Sequence, residues 1–337
     1  MAQIINGEFL RNETNKDSMG GTEQMTLELS ERIDKELLQD FQIVSSRVRG
    51  ELDESKIRIF WAHDLPGDPE SDFLKDKNNH DKFHKFVFVS NWQMQRYIDA
   101  YDIPWSKSVV LQNAIDPLHE ANMQDLEKIN LIYFSTPHRG LNILVPVFEK
   151  LCEKYDNLHL NVYSSFDLYG WKQRDEQYKE LFDRINAHDS MTNHGSVEKT
   201  RIREAVSNSH IFAYPSTWAE TSCLCLMEAM SAGLACVHSN YAALPETAAN
   251  WTNMYQMNEH LEQHAGVFYH MLESTIIQLL DEKTRPMVSS KLKSQKSYAD
   301  VFYNWNARSH EWNALLTSLK NGVKDRSIPK EQFKYIA

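Results

Sequence analysis

The feature that most limits what this chain can fold into is a repeated alternation. Short apolar runs, each long enough for one buried strand, are followed by stretches with helical periodicity, and this happens in two successive series. Such an order is the signature of parallel α/β domains, because a parallel crossover needs a helix to return the chain to the same edge. In the first series "GTEQMTLELSERI" places Met25, Leu29 and Ile33 four apart, predicting an amphipathic helix. Apolar runs follow at Phe41–Val44, Ile57–Trp61, Phe86–Val89 and Val109–Leu111. "SNWQMQRYIDAYDIP" predicts a helix with Ser90 as its N-cap and Pro104 beyond its end.

The charged stretch "DPLHEANMQDLEKIN" (116–130) is expected to link the two series. The second begins with a strand at Leu131–Phe134 and the helix "LNILVPVFEKLCEKY", with Pro146 in its first turns. "LHLNVYS" alternates as a strand, a polar helix is expected near 172–187, and another after Ser196. "IFAYP" and "LACVHS" are further strands, and "ETAAN" is expected to begin a short helix. "VFYNWNARSHEWNALLTSLK" is apolar at Trp305, Trp312, Leu315, Leu316 and Leu319, as one long amphipathic helix would be.

Composition narrows the class. With 42% hydrophobic and 25% charged residues the chain reads as a soluble globular protein. Its longest apolar run, around Leu141–Phe148, is far short of the roughly 20 residues a membrane span needs. A formal charge of −11 argues against a large nucleic-acid footprint, although Lys82, Lys85 and Arg96 gather on what is expected to be a solvated face. The cysteines Cys152, Cys223, Cys225 and Cys236 form no CxxC pair, so reduced buried thiols are expected. No basic-then-apolar segment opens the chain, and a cytoplasmic location is the expectation.

The chemistry concentrates in "AETSCLCLMEAM" (219–230), where Glu220 and Glu228 flank the start of an apolar helix. Eight positions apart they would stand about 80° out of phase on a helix, so they are not a stacked pair. The strand "IFAYPS" runs out into a turn, and Thr221 and Ser222 are placed to cap the helix that follows. A helix start presents free backbone N–H groups and a positive dipole end, a seat for phosphate oxygens. Glu220 would lie at the carboxyl end of a strand, where open α/β sheets bind ligands, and Glu228 would reach a second polar group such as a ribose. An extended phosphate-bearing ligand fits this division, and no DxD pair occurs to call for a metal.

Glu220–x7–Glu228, followed by "AMSAG" and "ALPE", resembles the E-x7-E signature of GT-B retaining glycosyltransferases of the GT4-like family. The resemblance extends over most of the chain. "GGTE" (20–23) is similar to the family's N-terminal glycine loop, and "FVFVSNWQMQRYIDAY…VVLQNAID" to the end of its first domain. "STPHRGLNILVPVFEKL" is similar to the turn that opens the second domain, and "NHGSV" (193–197) to the glycine turn beside the nucleotide base. The resemblance implies two Rossmann-like domains facing each other across a cleft. These would be an acceptor-side domain over 1–116, a nucleotide-sugar domain over 117–304, and a terminal helix over 305–337 packing back on the first domain. It implies transfer of a sugar from a UDP- or GDP-sugar to a hydroxyl acceptor, a glycan first of all, with retention and without metal or other cofactor.

In that picture Glu220, His63 and Arg139 are catalytic: Glu220 holds sugar hydroxyls, His63 touches the donor sugar, and Arg139 neutralises the departing diphosphate. The donor would further be bound by Gly20, Gly21, Lys172, His194, Gly195, Thr221, Ser222, Cys223, Leu224 and Glu228. Two positions depart from the family pattern. Phe134 stands where a cation is usual, with Lys172 or Arg174 as replacements, and Cys223 stands where a glycine is usual, which requires that its backbone avoid the left-handed region. Each residue also has a plainer role: a capping acid at Glu220, a satisfied histidine at His63, an ordinary turn at Gly20–Gly21 and packing at Trp305 and Trp312. A phosphorylase or epimerase on the same architecture, a non-catalytic nucleotide-sugar-binding protein, and an enzyme acting on hydroxymethylated bases of viral DNA are the alternatives. No lysine site for the pyridoxal phosphate of a phosphorylase stands out, and the acidic polar face of "TEQMTLELSERIDKELLQD" favours a soluble acceptor.

Overall fold

The computed structural model describes residues 2–11 and 20–322. The chain forms two compact units: one runs to Ala114 and takes in the terminal stretch from Trp305, and the other is Ile115–Asn304.

The first unit holds the strands β1 (Ala2–Ile5) and β2 (Glu8–Arg11), the helices α1 (Gly21–Arg32) and α2 (Lys35–Leu38), then β3 (Phe41–Ser45), β4 (Ile57–Ala62), β5 (Lys85–Phe88), α3 (Asn91–Tyr101) and β6 (Ser108–Val110). Its sheet has the order β2-β1-β3-β4-β5-β6, parallel from β3 onward. The antiparallel β1–β2 hairpin was not among the strands expected from the apolar runs. Its two-residue turn, Asn6–Gly7, has φ of 52° and 73°, the doubly left-handed turn that Asn-Gly favours. As expected, Met25 and Leu29 are buried on α1, and the Ser90 hydroxyl accepts from Gln93 N at 3.0 Å as the N-cap of α3. One face of the sheet is aromatic: Phe60 meets Phe83 at 5.5 Å and Phe86 at 5.9 Å between ring centroids. Burying each such ring contributes about 1.5–3 kcal/mol.

The second unit alternates throughout: β7 (Ile129–Tyr133), α4 (Leu141–Cys152), β8 (Leu158–Val162), α5 (Lys179–Asn186), β9 (Met191–Asn193), α6 (Lys199–Ser207), β10 (Ile211–Tyr214), α7 (Leu224–Ser231), β11 (Ala235–Ser239), α8 (Leu244–Ala248) and β12 (Asn253–Tyr255). The helices α9 (Leu261–Leu280) and α10 (Arg285–Phe302) complete it. All six strands are parallel in the order β12-β11-β10-β7-β8-β9, the arrangement of a dinucleotide-binding sheet. The chain winds one way from β7 to β9 and the other way from β10, so the switch point lies between β7 and β10.

Three expectations change. Residues 116–128 are a strap rather than a free linker, with Leu118, Ala121, Met123 and Leu126 buried. Leu118 N donates to Ser231 Oγ and Ala121 N to Ala232 O, both at 2.9 Å, which fastens the strap to the end of α7. "ETAAN" closes its helix instead of opening it, because Ala249 and Asn250 take left-handed φ. The terminal amphipathic pattern is cut at Tyr303–Asn304, so its first residues end α10 and the rest form α11 (Trp305–Gly322). Residues 323–337 of the expected terminal segment lie outside the described residues.

The helix α11 belongs to the first unit. Trp312 stacks edge-on against Trp61 at 4.9 Å, Arg32 lies 5.3 Å over the Trp305 ring, and Lys320 pairs with Asp40 at 2.7 Å. No described helix is long and apolar enough to cross a membrane.

Candidate functional site

At the switch point two loops meet. After β7 the chain turns through residues 134–136 into a 3₁₀ turn, Pro137–Arg139, closed by Gly140 at φ 104°. A Cβ at Gly140 would stand 2.2 Å from the Pro215 carbonyl oxygen, so only glycine lets the loop after β7 lie against the loop after β10. That contact sets Arg139 opposite Glu220, with Nη1 to Oε1 at 2.8 Å. The Tyr214 hydroxyl donates to the same Oε1 at 2.6 Å. Glu220 is 5% exposed and thus held at one oxygen by a cation and a phenol. Its main chain is fixed too, since its carbonyl accepts from Ala243 N at 3.0 Å.

The electrostatics follow from that geometry. Burial works against the charge of Arg139, but Glu220 and Tyr214 outweigh it, and its pKa stands well above the usual guanidinium value. Burial, and after it Glu220, raises the Tyr214 phenol far above its usual range, so it stays protonated as a donor. Arg139 Nε is buried without a hydrogen-bond partner, and the guanidinium lies 5.8 Å over the Trp218 ring. His138 packs beside it, stacked on Phe166 at 5.3 Å and edge-on to Trp218 at 4.8 Å. Burial, helped by the charges of Arg139 and Arg174, lowers His138 to about 4, so this ring is neutral at neutral pH.

The helix α7 starts two residues later than its sequence suggests. Cys223 is the N-cap, and its side chain makes no capping hydrogen bond. The Ser222 hydroxyl oxygen is buried with no hydrogen-bond partner. The first intrahelical bond runs from Met227 N to Cys223 O, so the amides at the helix start are uncommitted within the helix. Cys223 has φ −84°, outside the left-handed region, so a cysteine is accommodated where glycine is usual. Cys225 Sγ donates to Phe134 O at 3.0 Å, tying the first turn of α7 to the end of β7.

Glu228 faces α6. Arg203 Nη1 stands 3.3 Å from its Oε1, while Arg203 Nη2 donates to the carbonyls of Asp116 and Pro117 at 3.0 and 2.9 Å. Burial raises the Glu228 pKa, with Arg203 and Lys199 offsetting part of that. At the far side of β8, His194 lies flat on Tyr163 at 4.2 Å, its Nε2 2.9 Å from Asn161 Oδ1. Gly195, with φ 64°, makes the turn that follows.

Not every expected residue joins this group. Lys172 is exposed and forms no hydrogen bond or ion pair with Arg139 or Glu220 among the described residues. Arg174, the other cation expected there, stacks on Trp171 at 4.2 Å and is near enough for its charge to depress His138. His63 and Gly20–Gly21 belong to the first unit. His63 follows β4, its N–H bonded to Ser46 Oγ at 2.7 Å and its ring 4.5 Å from Trp61, and burial lowers it to about 3. Gly20 caps α1 with an ordinary extended φ of −62°, so what it offers is the lack of a side chain. Tyr214, Trp218 and Arg203 were missed by sequence reasoning: the first reads as a core strand residue, and the other two carry no motif. Among the described residues no three His, Cys, Asp or Glu side chains are grouped to hold a metal ion.

Residues 127–268, which include Arg139, Glu220 and Glu228, match the family described as glycosyl transferases group 1. In sequence the chain is similar to one of the subunits of phosphatidylinositol N-acetylglucosaminyltransferase. The Homo sapiens protein is 26% identical over 141 residues, covering 41% of this chain and 28% of that one. The Arabidopsis thaliana protein is 25% identical over 165 residues, covering 48% and 35%. The match thus spans about a third of those relatives' length. In structure the chain is similar to a glycosyltransferase from Rickettsia africae ESF-5, with TM-score 0.66 and 15% identity, covering 92% of this chain and 85% of that one. It is also similar to Anabaena HepE in complex with UDP-glucose, with TM-score 0.61 and 16% identity, covering 78% and 73%. At such identities the likeness carries the fold, which is GT-B.

Proposed function

We propose that this chain, whose second unit carries the glycosyl transferases group 1 match, is a retaining glycosyltransferase that takes a sugar from a nucleotide-sugar donor to a hydroxyl acceptor. The observation that carries the reading is the Arg139–Glu220–Tyr214 constellation, set at the switch point beside the uncommitted amides at the start of α7. Those amides, at Ser222 to Leu224, hold the diphosphate. Arg139, supported by Arg174, meets the charge that grows on the leaving group, so the gain is largest in the transition state. Glu220 binds sugar hydroxyls through Oε2, which accepts no hydrogen bond among the described residues. Glu228, steered by Arg203, takes the ribose hydroxyls, and the flat Tyr163–His194 pair beside Gly195 carries the base. No step in this scheme draws on a metal or other cofactor.

The neighbour HepE, described with UDP-glucose, supports a uridine donor. A glycan or other hydroxyl compound is the acceptor, and hydroxymethylated DNA gains no support from these relatives. The test is release of UDP or GDP from a panel of nucleotide sugars, with Glu220→Ala as control. Turnover of one UDP-sugar by the native chain and its loss in the variant is the expected result. Donor binding without turnover would favour a non-catalytic binding protein, a reading that Phe134 at the usual cation position keeps open.

A further inference from the structure

A cavity of about 530 Å³ lies in the first unit, lined by residues of the β3–β4 loop, the start of β4 and the 3₁₀ segment before β5. Val48, Leu52, Phe73 and Phe83 give it apolar walls. Arg58, the second residue of β4, also lines it, and this arginine is only 9% exposed. Arg58 Nε is shielded and meets no hydrogen-bond partner, and the guanidinium forms no ion pair among the described residues. Its backbone is locked on both sides, since Arg58 N donates to His84 Nδ1 at 3.0 Å and His84 N donates to Arg58 O at 2.8 Å. The β3–β4 loop is held as well: buried Gln42 donates to Glu51 O at 3.3 Å and accepts from Asp53 N at 2.8 Å.

A desolvated guanidinium with no ion-pair partner is costly, and folded chains rarely keep one. The acids nearby supply a counter-charge only weakly, since the charge of Arg58 is the smallest of the causes that lower the Asp53 pKa. Asp53 is committed to Ser55, accepting from its N–H at 2.9 Å and its hydroxyl at 2.6 Å. Glu51, Glu54 and Lys82 also line the cavity, but all three are exposed and screened by water. The site therefore wants one negative charge at Arg58, with an apolar body against Val48, Leu52 and the two phenylalanines. A dianion would meet the two glutamates, whereas a monoanion would not exceed what Arg58 can balance.

We infer that this cavity is a binding site for a small organic monocarboxylate with an aromatic or alkyl body, gripped by Arg58 through a two-point contact. It is separate from the proposed donor chemistry, since Arg58 belongs to the first unit, whereas Arg139, Glu220 and Tyr214 belong to the second. The volume suits a ligand of this size.

Calorimetry and thermal melting with 4-phenylbutyrate, its neutral amide, phenyl phosphate and inorganic phosphate test the inference on the whole protein. Expected are saturable binding and a raised Tm with 4-phenylbutyrate, and at least tenfold weaker binding of the amide and of phenyl phosphate. Arg58→Met should abolish the carboxylate response and leave the ligand-free Tm unchanged or higher, because it removes an uncompensated charge. Val48→Trp, which keeps Arg58 but fills the cavity, should also block binding. Equal binding of acid and amide, preference for a phosphate, or an undiminished response in Val48→Trp each overturns the inference. So does no response to millimolar 4-phenylbutyrate, or a lowered ligand-free Tm in Arg58→Met.

Discussion

Glu220→Gln keeps the shape of the side chain and its oxygen for the Tyr214 hydroxyl, but removes the charge that Arg139 faces at 2.8 Å. Two unit charges about 4 Å apart attract by about 4 kcal/mol at the effective dielectric of a protein edge. Breaking a buried pair costs about 3–5 kcal/mol when the surviving charge has nowhere to go. The Arg139 side chain is 22% exposed and retains the Trp218 face, so the cost falls to or just below the bottom of that range, and we expect about 2–3 kcal/mol. For a unit of this size that is about 5–10 °C in Tm. Arg139→Met should cost about the same, since it strands Glu220 with Tyr214 alone. The double variant should then be less damaged than the sum of the singles by about 1–3 kcal/mol. Urea melts of the four proteins measure this coupling. Costs that add within about 0.5 kcal/mol would refute the pairing as the organiser of the site. Turnover should fall about 100- to 1000-fold in Glu220→Gln, while UDP binds at least as well, because Arg139 is freed for the diphosphate.

Tyr214→Phe removes the 2.6 Å hydrogen bond to Glu220 and should cost about 1.5–3 kcal/mol in a urea melt, with a fall in turnover. Gly140→Ala sets a Cβ 2.2 Å from Pro215 O at φ 104° and should separate the two loops and abolish activity. Gly195→Ala at φ 64°, with open space around it, should cost only about 1–2 kcal/mol, and the two variants are compared by melting and donor turnover. His63, lowered to about 3, and His138 and His238, lowered to about 4, are neutral in the fold and take protons at 6.5 when unfolded. Their contribution is complete above pH 6.5 and is lost as pH falls toward 4, by up to about 1.4 kcal/mol per pH unit for each, which melts across that window read directly. Arg203→Met frees Glu228 and the strap carbonyls, and calorimetry should show weaker binding of UDP than of a ribose-free diphosphate control.

Much of the fold was legible because its signals are local. Apolar runs bounded by turns gave β3 to β8, and Ser90 marked the start of α3 by a hydrogen bond that its own position dictates. The β1–β2 hairpin was legible in principle from Asn6–Gly7, but four-residue strands at an edge have little apolar signal to set beside that turn. The strap at 116–128 looked like a linker because its charged residues outnumber Leu118, Met123 and Leu126, whose burial depends on α7, far along the chain. The break before Trp305 is a hydrogen-bonding event: Ile115 N donates to Tyr303 O at 2.7 Å, which no periodicity announces. Glu220, Glu228 and Arg139 were legible as types at positions. Their pairing was not, since Arg139 and Glu220 are 81 residues apart and meet only because Gly140 lets two loops touch.

The most direct test of the site is a crystal structure of the protein soaked with UDP. The expected result is a diphosphate within about 3 Å of the Arg139 guanidinium and of the amides at Ser222–Leu224, with the ribose on Glu228. A diphosphate bound elsewhere, with Arg139 still committed to Glu220 alone and the start of α7 untouched, would contradict it.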